Sequence, residues 1–133
     1  MEKYNGSEKR KHPRIGANFI VNYRVKQVPN NYDLSQTKDV GQGGSLLTTN
    51  RKFEKGTILA VTVRFPYTVE KVELTAEVVD SEEVARNLVY NTRIKFLDLD
   101  REFFQELGKF IQGRLKTIAA DKQRKARLTL NEN

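Results

Sequence analysis

The 133-residue sequence contains no cysteine and no tryptophan, a single histidine, one methionine and only three prolines. Without thiols there are no disulfides, no thiolate metal sites and no cysteine nucleophile, and one histidine removes multi-histidine metal centres and several of the common catalytic triads. No apolar run approaches the roughly 20 residues that a membrane-spanning helix requires, so no membrane insertion is expected. The N-terminal segment MEKYNGSEKRKHPR is basic, but neither an apolar stretch nor a small-residue cleavage site follows it. No secretory signal is therefore expected, and the cytoplasm is the expected compartment. A chain of this length has room for one ordinary domain and its tails.

What is present is a globular composition, 38% hydrophobic against 31% charged, with 24 Lys and Arg against 17 Asp and Glu and a net charge of +7. The excess is terminal. Residues 1–14 hold five basic and two acidic side chains, residues 114–133 hold six and two, and the 13 of each sign between them cancel. A neutral body with cationic ends does not resemble a broad nucleic-acid platform; it fits a barrel or sandwich carrying two basic segments, with an anionic ligand near one of them. Solubilising tails give the same charge pattern.

Residues 1–9 are almost devoid of apolar side chains and read as a flexible arm. From Ala17 the pattern becomes a strand: Phe19, Val21, Tyr23 and Val25 alternate with Asn18, Asn22 and Arg24. Residues 26–44, with Pro29, Asn30, Asn31 and three glycines, read as a long loop closed by a tight glycine turn. Further strands follow at Ser45–Thr49, at Thr57–Phe65 with Pro66 ending it, at Val72–Val78, and around Leu88, Tyr90, Ile94 and Phe96. Strands at this spacing, with no helical pattern between them, predict a mainly β antiparallel meander closing into a small barrel. After Asp100 the period switches to 3.6: Phe103, Leu107, Phe110, Ile111, Leu115 and Ile118 form one stripe, with Asp100 as N-cap, predicting a helix from about 101 to 126. The division expected is an arm over 1–9, a barrel domain over 10–112, and a projecting helix end with a basic tail over 113–133.

Two constellations carry chemistry. Arg10 and Arg14 bracket Lys11-His12-Pro13 just before the first strand. An extended backbone puts both arginines on one side, about 13 Å apart, a span suited to gripping one anionic ligand. Their planar forks can bond phosphate or the O6/N7 edge of guanine and stack on a base. The second is Asp39-Val40-Gly41-Gln42-Gly43-Gly44. Three glycines in four positions are expected to supply positive φ and close backbone approach, and the Asp39 carboxylate can accept two donors such as the N1–H and N2–H₂ edge of guanine. Each motif alone also fits a plain solvated or turn role.

Together, in this order on an all-β chain, they resemble the PilZ domain, a bacterial receptor for the second messenger cyclic di-GMP, whose signature is Arg-x-x-x-Arg, a strand, then Asp/Asn-x-Ser-x-x-Gly. The resemblance covers residues 8–112 and includes the Ile94-Lys95-Phe96-Leu97-Asp98 segment. It implies a six-stranded antiparallel barrel with a C-terminal helix and the dinucleotide on the barrel's outer face. By the same resemblance Arg10 and Arg14 take phosphate and guanine, Asp39 takes a guanine edge, and Gly44 permits close approach, with Gly43 beside it. Two positions depart from the family. Gly41 stands where the motif has Ser, removing a hydroxyl bond worth about 1 kcal/mol, or roughly fivefold in affinity, so restoring serine is expected to tighten binding. Arg93 stands where the family often has Gly and brings a cation suited to phosphate or to blocking the surface. The alternative Asp33-Leu34-Ser35 is rejected because Lys38 occupies the place of its glycine.

The function expected is a non-enzymatic sensor in which the arm closes over cyclic di-GMP and alters contact with a signalling protein partner, with motility, biofilm and exopolysaccharide control implied by the family. The competing readings are a degenerate family member acting only as a protein-interaction module, favoured by Gly41, and a small barrel binding RNA or single-stranded DNA, disfavoured by the neutral body. Asp98, Asp100 and Glu102 read as strand exit and helix start, not as metal ligands, and His12 lacks a partner acid in sequence reach. No cofactor is expected. The C-terminal helix is able either to cap its own barrel or to pair with a second copy.

Overall fold

A computed structural model describes residues 12–28 and 31–131. Its elements are β1 (Arg14–Gly16), β2 (Ile20–Val25), β3 (Asp33–Gly41), β4 (Gly44–Thr49), β5 (Ile58–Val63), β6 (Val72–Ala85), β7 (Val89–Leu97) and α1 (Arg101–Asn131). Every strand pairing is antiparallel. The order β3-β2-β5-β6-β7-β4 closes through a β3–β4 pairing into a six-stranded barrel, and β1 is an additional strand on β3. Closure removes the free edges that an open sheet would expose.

The inward faces follow the alternation in the sequence. Val21 and Tyr23, Leu59, Val61 and Val63, Leu74, Ala76 and Val78, and Ile94 are all buried in one core. Three inward hydroxyls in that core satisfy each other: Thr92 bonds Thr49 at 2.8 Å and Ser81 at 2.9 Å, so their burial is not penalised as orphaned polar groups would be. Leu88, read as an inward strand residue, lies in the β6–β7 turn and is exposed.

The region 26–44 departs most from expectation. Residues 33–41 are not loop but the nine-residue strand β3. The sequence hides it because the apolar alternation is missing. Leu34 points outward at 71% exposure, while the inward Thr37 is polar and buried. That inward hydroxyl is satisfied: Thr37 Oγ1 donates to the Ala17 carbonyl and accepts from Phe19 N–H at 2.9 Å. Burial of polar groups with partners sustains a strand that a hydrophobicity pattern does not reveal.

The helix begins where expected, with the Asp100 carboxylate accepting from Phe103 N–H at 3.2 Å as an N-cap. It runs past the expected end, to Asn131. Leu107 and Ile111 are buried against the barrel core, with Phe103, Phe110 and Leu115 packed beside them. Phe19, Phe65, Tyr67, Phe103 and Phe110 form an aromatic cluster under the helix, with ring centroids 5.4–6.0 Å apart. Beyond Leu115 the stripe leaves the barrel, and Ile118 is exposed.

Candidate functional site

β1 and β2 lie end to end along one side of β3. Arg14, Ile15 and Gly16 pair with Gly41, Val40 and Asp39, while Ile20–Tyr23 pair with Gln36–Asp33. The three residues between them are stitched to β3 by Ala17 N–H to the Lys38 carbonyl at 3.2 Å and Thr37 N–H to the Phe19 carbonyl at 2.9 Å. The segment carrying Arg14 is thereby held against the glycine end of β3, because the chain entering the barrel has a continuous backbone partner.

Two bulges shape the surface on which it lies. Between Thr37 and Asp39 the β3–β4 register slips by a residue, and between Val78 and Asp80 the β6–β7 register does the same. A bulge re-aims side chains without breaking the sheet. Asp39 then stands opposite Leu46, and Leu46 opposite Arg93, so the three form a row across β3, β4 and β7. Arg93 reaches over Leu46 to Asp39 in a fork-to-fork pair at 2.8 and 3.0 Å, and Asp39 Oδ1 also accepts from Leu46 N–H at 3.1 Å.

An open pocket of about 330 Å³ lies beside this pair. It is lined by Gly41, Gly43 and Gly44, by Arg14, Arg93 and Lys95, and by His12, Val79 and Ile94. Three cationic side chains face one concave surface whose lining, among the described residues, holds no carboxylate, an arrangement that favours an anion held between them. Lys95 also stands 3.7 Å from Glu77, an exposed contact of little energetic weight.

The glycines act differently from the expectation. Among the described residues only Gly56 is a glycine with positive φ, at 93°. Gly41 and Gly44 are instead places where a side chain has no room. A β-carbon at Gly41 would stand 3.0 Å from the Pro13 carbonyl oxygen and 3.0 Å from Arg14 Cγ, and one at Gly44 would overlap the Ile94 carbonyl. A β-carbon at Gly43 has room among the described residues, the nearest atom beyond its chain neighbours being His12 Cδ2 at 4.0 Å.

Of the residues singled out from sequence, Arg14, Gly41, Gly43, Gly44 and Arg93 meet at this pocket. Asp39 does not line it but stands behind Arg93. Arg10 lies outside the described residues. His12, Val79 and Lys95 were not anticipated. Lys95 had a usable signal, since it sits two residues after Arg93 on the same face of β7; Val79 is exposed by a bulge that no sequence period reveals. The rejected Asp33-Leu34-Ser35 lies at the far end of β3, where Leu34 and Ser35 border a separate hollow of about 180 Å³. Among the described residues no helix is long and apolar enough to cross a membrane.

A family model described as PilZ domain matches residues 8–113. A comparison by sequence with curated proteins found no match. Among solved structures, the chain is similar to the inhibitor of motility MotI/DgrA of Bacillus subtilis, with TM-score 0.71 and 16% identity over 83% of this chain and 53% of that one. It is similar to the PilZ domain with c-di-GMP of YcgR from Escherichia coli, with TM-score 0.64 and 17% identity over 89% of this chain and 99% of that one. A third similarity is to the K. pneumonia MrkH–c-di-GMP complex, with TM-score 0.60 and 15% identity over 89% of this chain and 56% of that one. The chain thus spans about half the length of the first and third, and the whole of the isolated YcgR domain. At these identities the likeness is one of fold.

Proposed function

The chain belongs to the PilZ domain family, and from that membership we propose that it is a non-enzymatic receptor for cyclic di-GMP that binds the dinucleotide in the pocket bordered by Arg14 and the Gly41–Gly44 turn. One observation carries the proposal: Arg14, Arg93 and Lys95 converge on one pocket lined also by Gly41, Gly43 and Gly44. Cyclic di-GMP offers two phosphodiester anions and two guanines whose O6/N7 edges suit an arginine fork. The barrel fold shared with the YcgR domain with c-di-GMP and with the MrkH–c-di-GMP complex supports the same choice of ligand. Arg10, four residues ahead of Arg14 in the motif spacing and outside the described residues, is assigned to the same ligand, and its engagement is the step proposed to change the surface offered to a protein partner.

The test is calorimetric titration of cyclic di-GMP into the wild type, Arg10→Ala and Arg14→Ala, with GTP and a single-stranded oligonucleotide as controls. Saturable heat with cyclic di-GMP, weakened at least about tenfold in Arg14→Ala, is the expected result. Absence of that heat together with salt-sensitive oligonucleotide binding sinks it in favour of a nucleic-acid-binding barrel. A second reading, a protein-interaction module without the nucleotide, is favoured by the lack of a hydroxyl at Gly41; silence with every nucleotide is its signature.

A further inference from the structure

Resting on the receptor proposal above, the geometry points to a role for Asp39 other than reading guanine: we propose that Asp39 is a positioning residue that holds Arg93 in place to take a phosphate of the cyclic dinucleotide. A carboxylate offers about four lone-pair sites, and a guanine edge needs two neighbouring ones. Three are already filled, two by the Arg93 fork at 2.8 and 3.0 Å and one by Leu46 N–H at 3.1 Å. A guanine could reach Asp39 only by evicting Arg93 from a bidentate, charge-assisted pair whose side chains are only 22% and 20% exposed.

The other arrangement requires nothing to move. Arg93 lines the pocket and Asp39 does not. A guanidinium has five N–H donors, and two are spent on Asp39, leaving three for a ligand oxygen on the pocket side. Their direction is fixed by the row Asp39–Leu46–Arg93 across three paired strands, so the fork meets the anion already oriented. With Arg14 and Lys95 also lining the pocket, a phosphate finds cations on several sides, whereas among the described lining residues a guanine edge finds no carboxylate.

The experiment is a double-mutant cycle read by calorimetric titration with cyclic di-GMP. Asp39→Asn keeps the shape of the side chain and an acceptor for Leu46 N–H while removing the charge that anchors Arg93, and Arg93→Gln accompanies Arg93→Ala as a variant that preserves packing. Melting curves verify that each is folded. Asp39→Asn and Arg93→Ala are each expected to weaken binding roughly tenfold, Arg93→Ala also to flatten its dependence on ionic strength, and the pair together no more than either alone. An Asp39→Asn loss of the same size in the Arg93→Ala background, or tighter binding in Arg93→Ala because Asp39 is released, overturns this assignment while leaving the receptor proposal standing. A wild type that gives no heat overturns both.

Discussion

Gly44 of β4 backs directly onto the Ile94 carbonyl of β7: a β-carbon there would overlap that oxygen and stand 3.1 Å from the carbonyl carbon and 3.2 Å from Lys95 Cα. The last glycine of the motif therefore marks where β4 closes against β7, with Gly44 registered opposite Lys95. It keeps the barrel shut at the edge of the pocket and is not needed for an unusual backbone angle.

Gly44→Ala is accordingly expected to destabilise the fold by about 1–3 kcal/mol, because backbone and not a flexible side chain must yield. Gly43→Ala, whose β-carbon would meet only His12 Cδ2 at 4.0 Å among the described residues, is expected to fold with little loss. Denaturant unfolding of the two variants checks this, and equal midpoints contradict it.

Gly41→Ser runs against what the motif alone suggests. A serine adds the missing hydroxyl, but its β-carbon meets the Pro13 carbonyl oxygen and Arg14 Cγ at 3.0 Å each. The segment pairing Arg14 with Gly41 must shift to admit it. Displacing Arg14 costs more than one neutral hydrogen bond returns, so affinity for cyclic di-GMP is expected to fall several-fold. Titration of the variant decides the sign, and hydrogen exchange at Ile15 is expected to quicken as β1 loosens.

The barrel was largely legible because most of its strands alternate strongly. Val21 and Tyr23, or Leu74, Ala76 and Val78, announce one buried face each. β3 was not, since hydrogen bonding by Thr37 does there what apolar packing does elsewhere, and a bulge breaks its period. Of the residues singled out from sequence, Arg14 and the glycines at 41, 43 and 44 lie together at one pocket, as their order along the chain allows. The Asp39–Arg93 pair was not, because the two are 54 residues apart and joined only through the register of β4 between them.

Tyr67 gives the protein an alkaline limit. Burial pushes its hydroxyl up from 10 to about 12, with a smaller push from Glu106, and Tyr23 moves in the same direction, again chiefly through burial. Above pH 10 an unfolded tyrosine releases its proton while these folded ones retain theirs, so stability is full below pH 10 and declines as pH rises toward 12. The Tyr67 hydroxyl is also buried without a hydrogen-bond partner among the described residues. Tyr67→Phe is expected to gain about 1 kcal/mol at neutral pH and to decline less steeply above pH 10. Unfolding at pH 7 and at pH 11 measures both effects, and a Tyr67→Phe variant that is less stable at neutral pH contradicts the first.

The turn beside the pocket is tied to the helix by one side chain. Gln42 Nε2 donates to the Phe104 carbonyl at 2.8 Å, and its amide lies where a β-carbon of Gly108 would project, 2.8 Å from Cδ. The Phe104 ring, in turn, meets His12 edge-on at 5.3 Å. Glycine inside a helix costs about 1 kcal/mol relative to alanine, so Gly108 is retained at a cost that the Gln42 contact offsets. A β-carbon at Gly113, five residues on, would meet nothing within 4 Å among the described residues beyond its own helix. Gly113→Ala is therefore expected to stabilise by up to about 1 kcal/mol, whereas Gly108→Ala in the wild type gains the same propensity but evicts the Gln42 amide and nets close to zero. In a Gln42→Ala background the conflict is gone and Gly108→Ala is expected to recover the full gain. Equal effects of Gly108→Ala in both backgrounds, measured by denaturant unfolding, would mean that Gln42 does not hold the turn to the helix in solution.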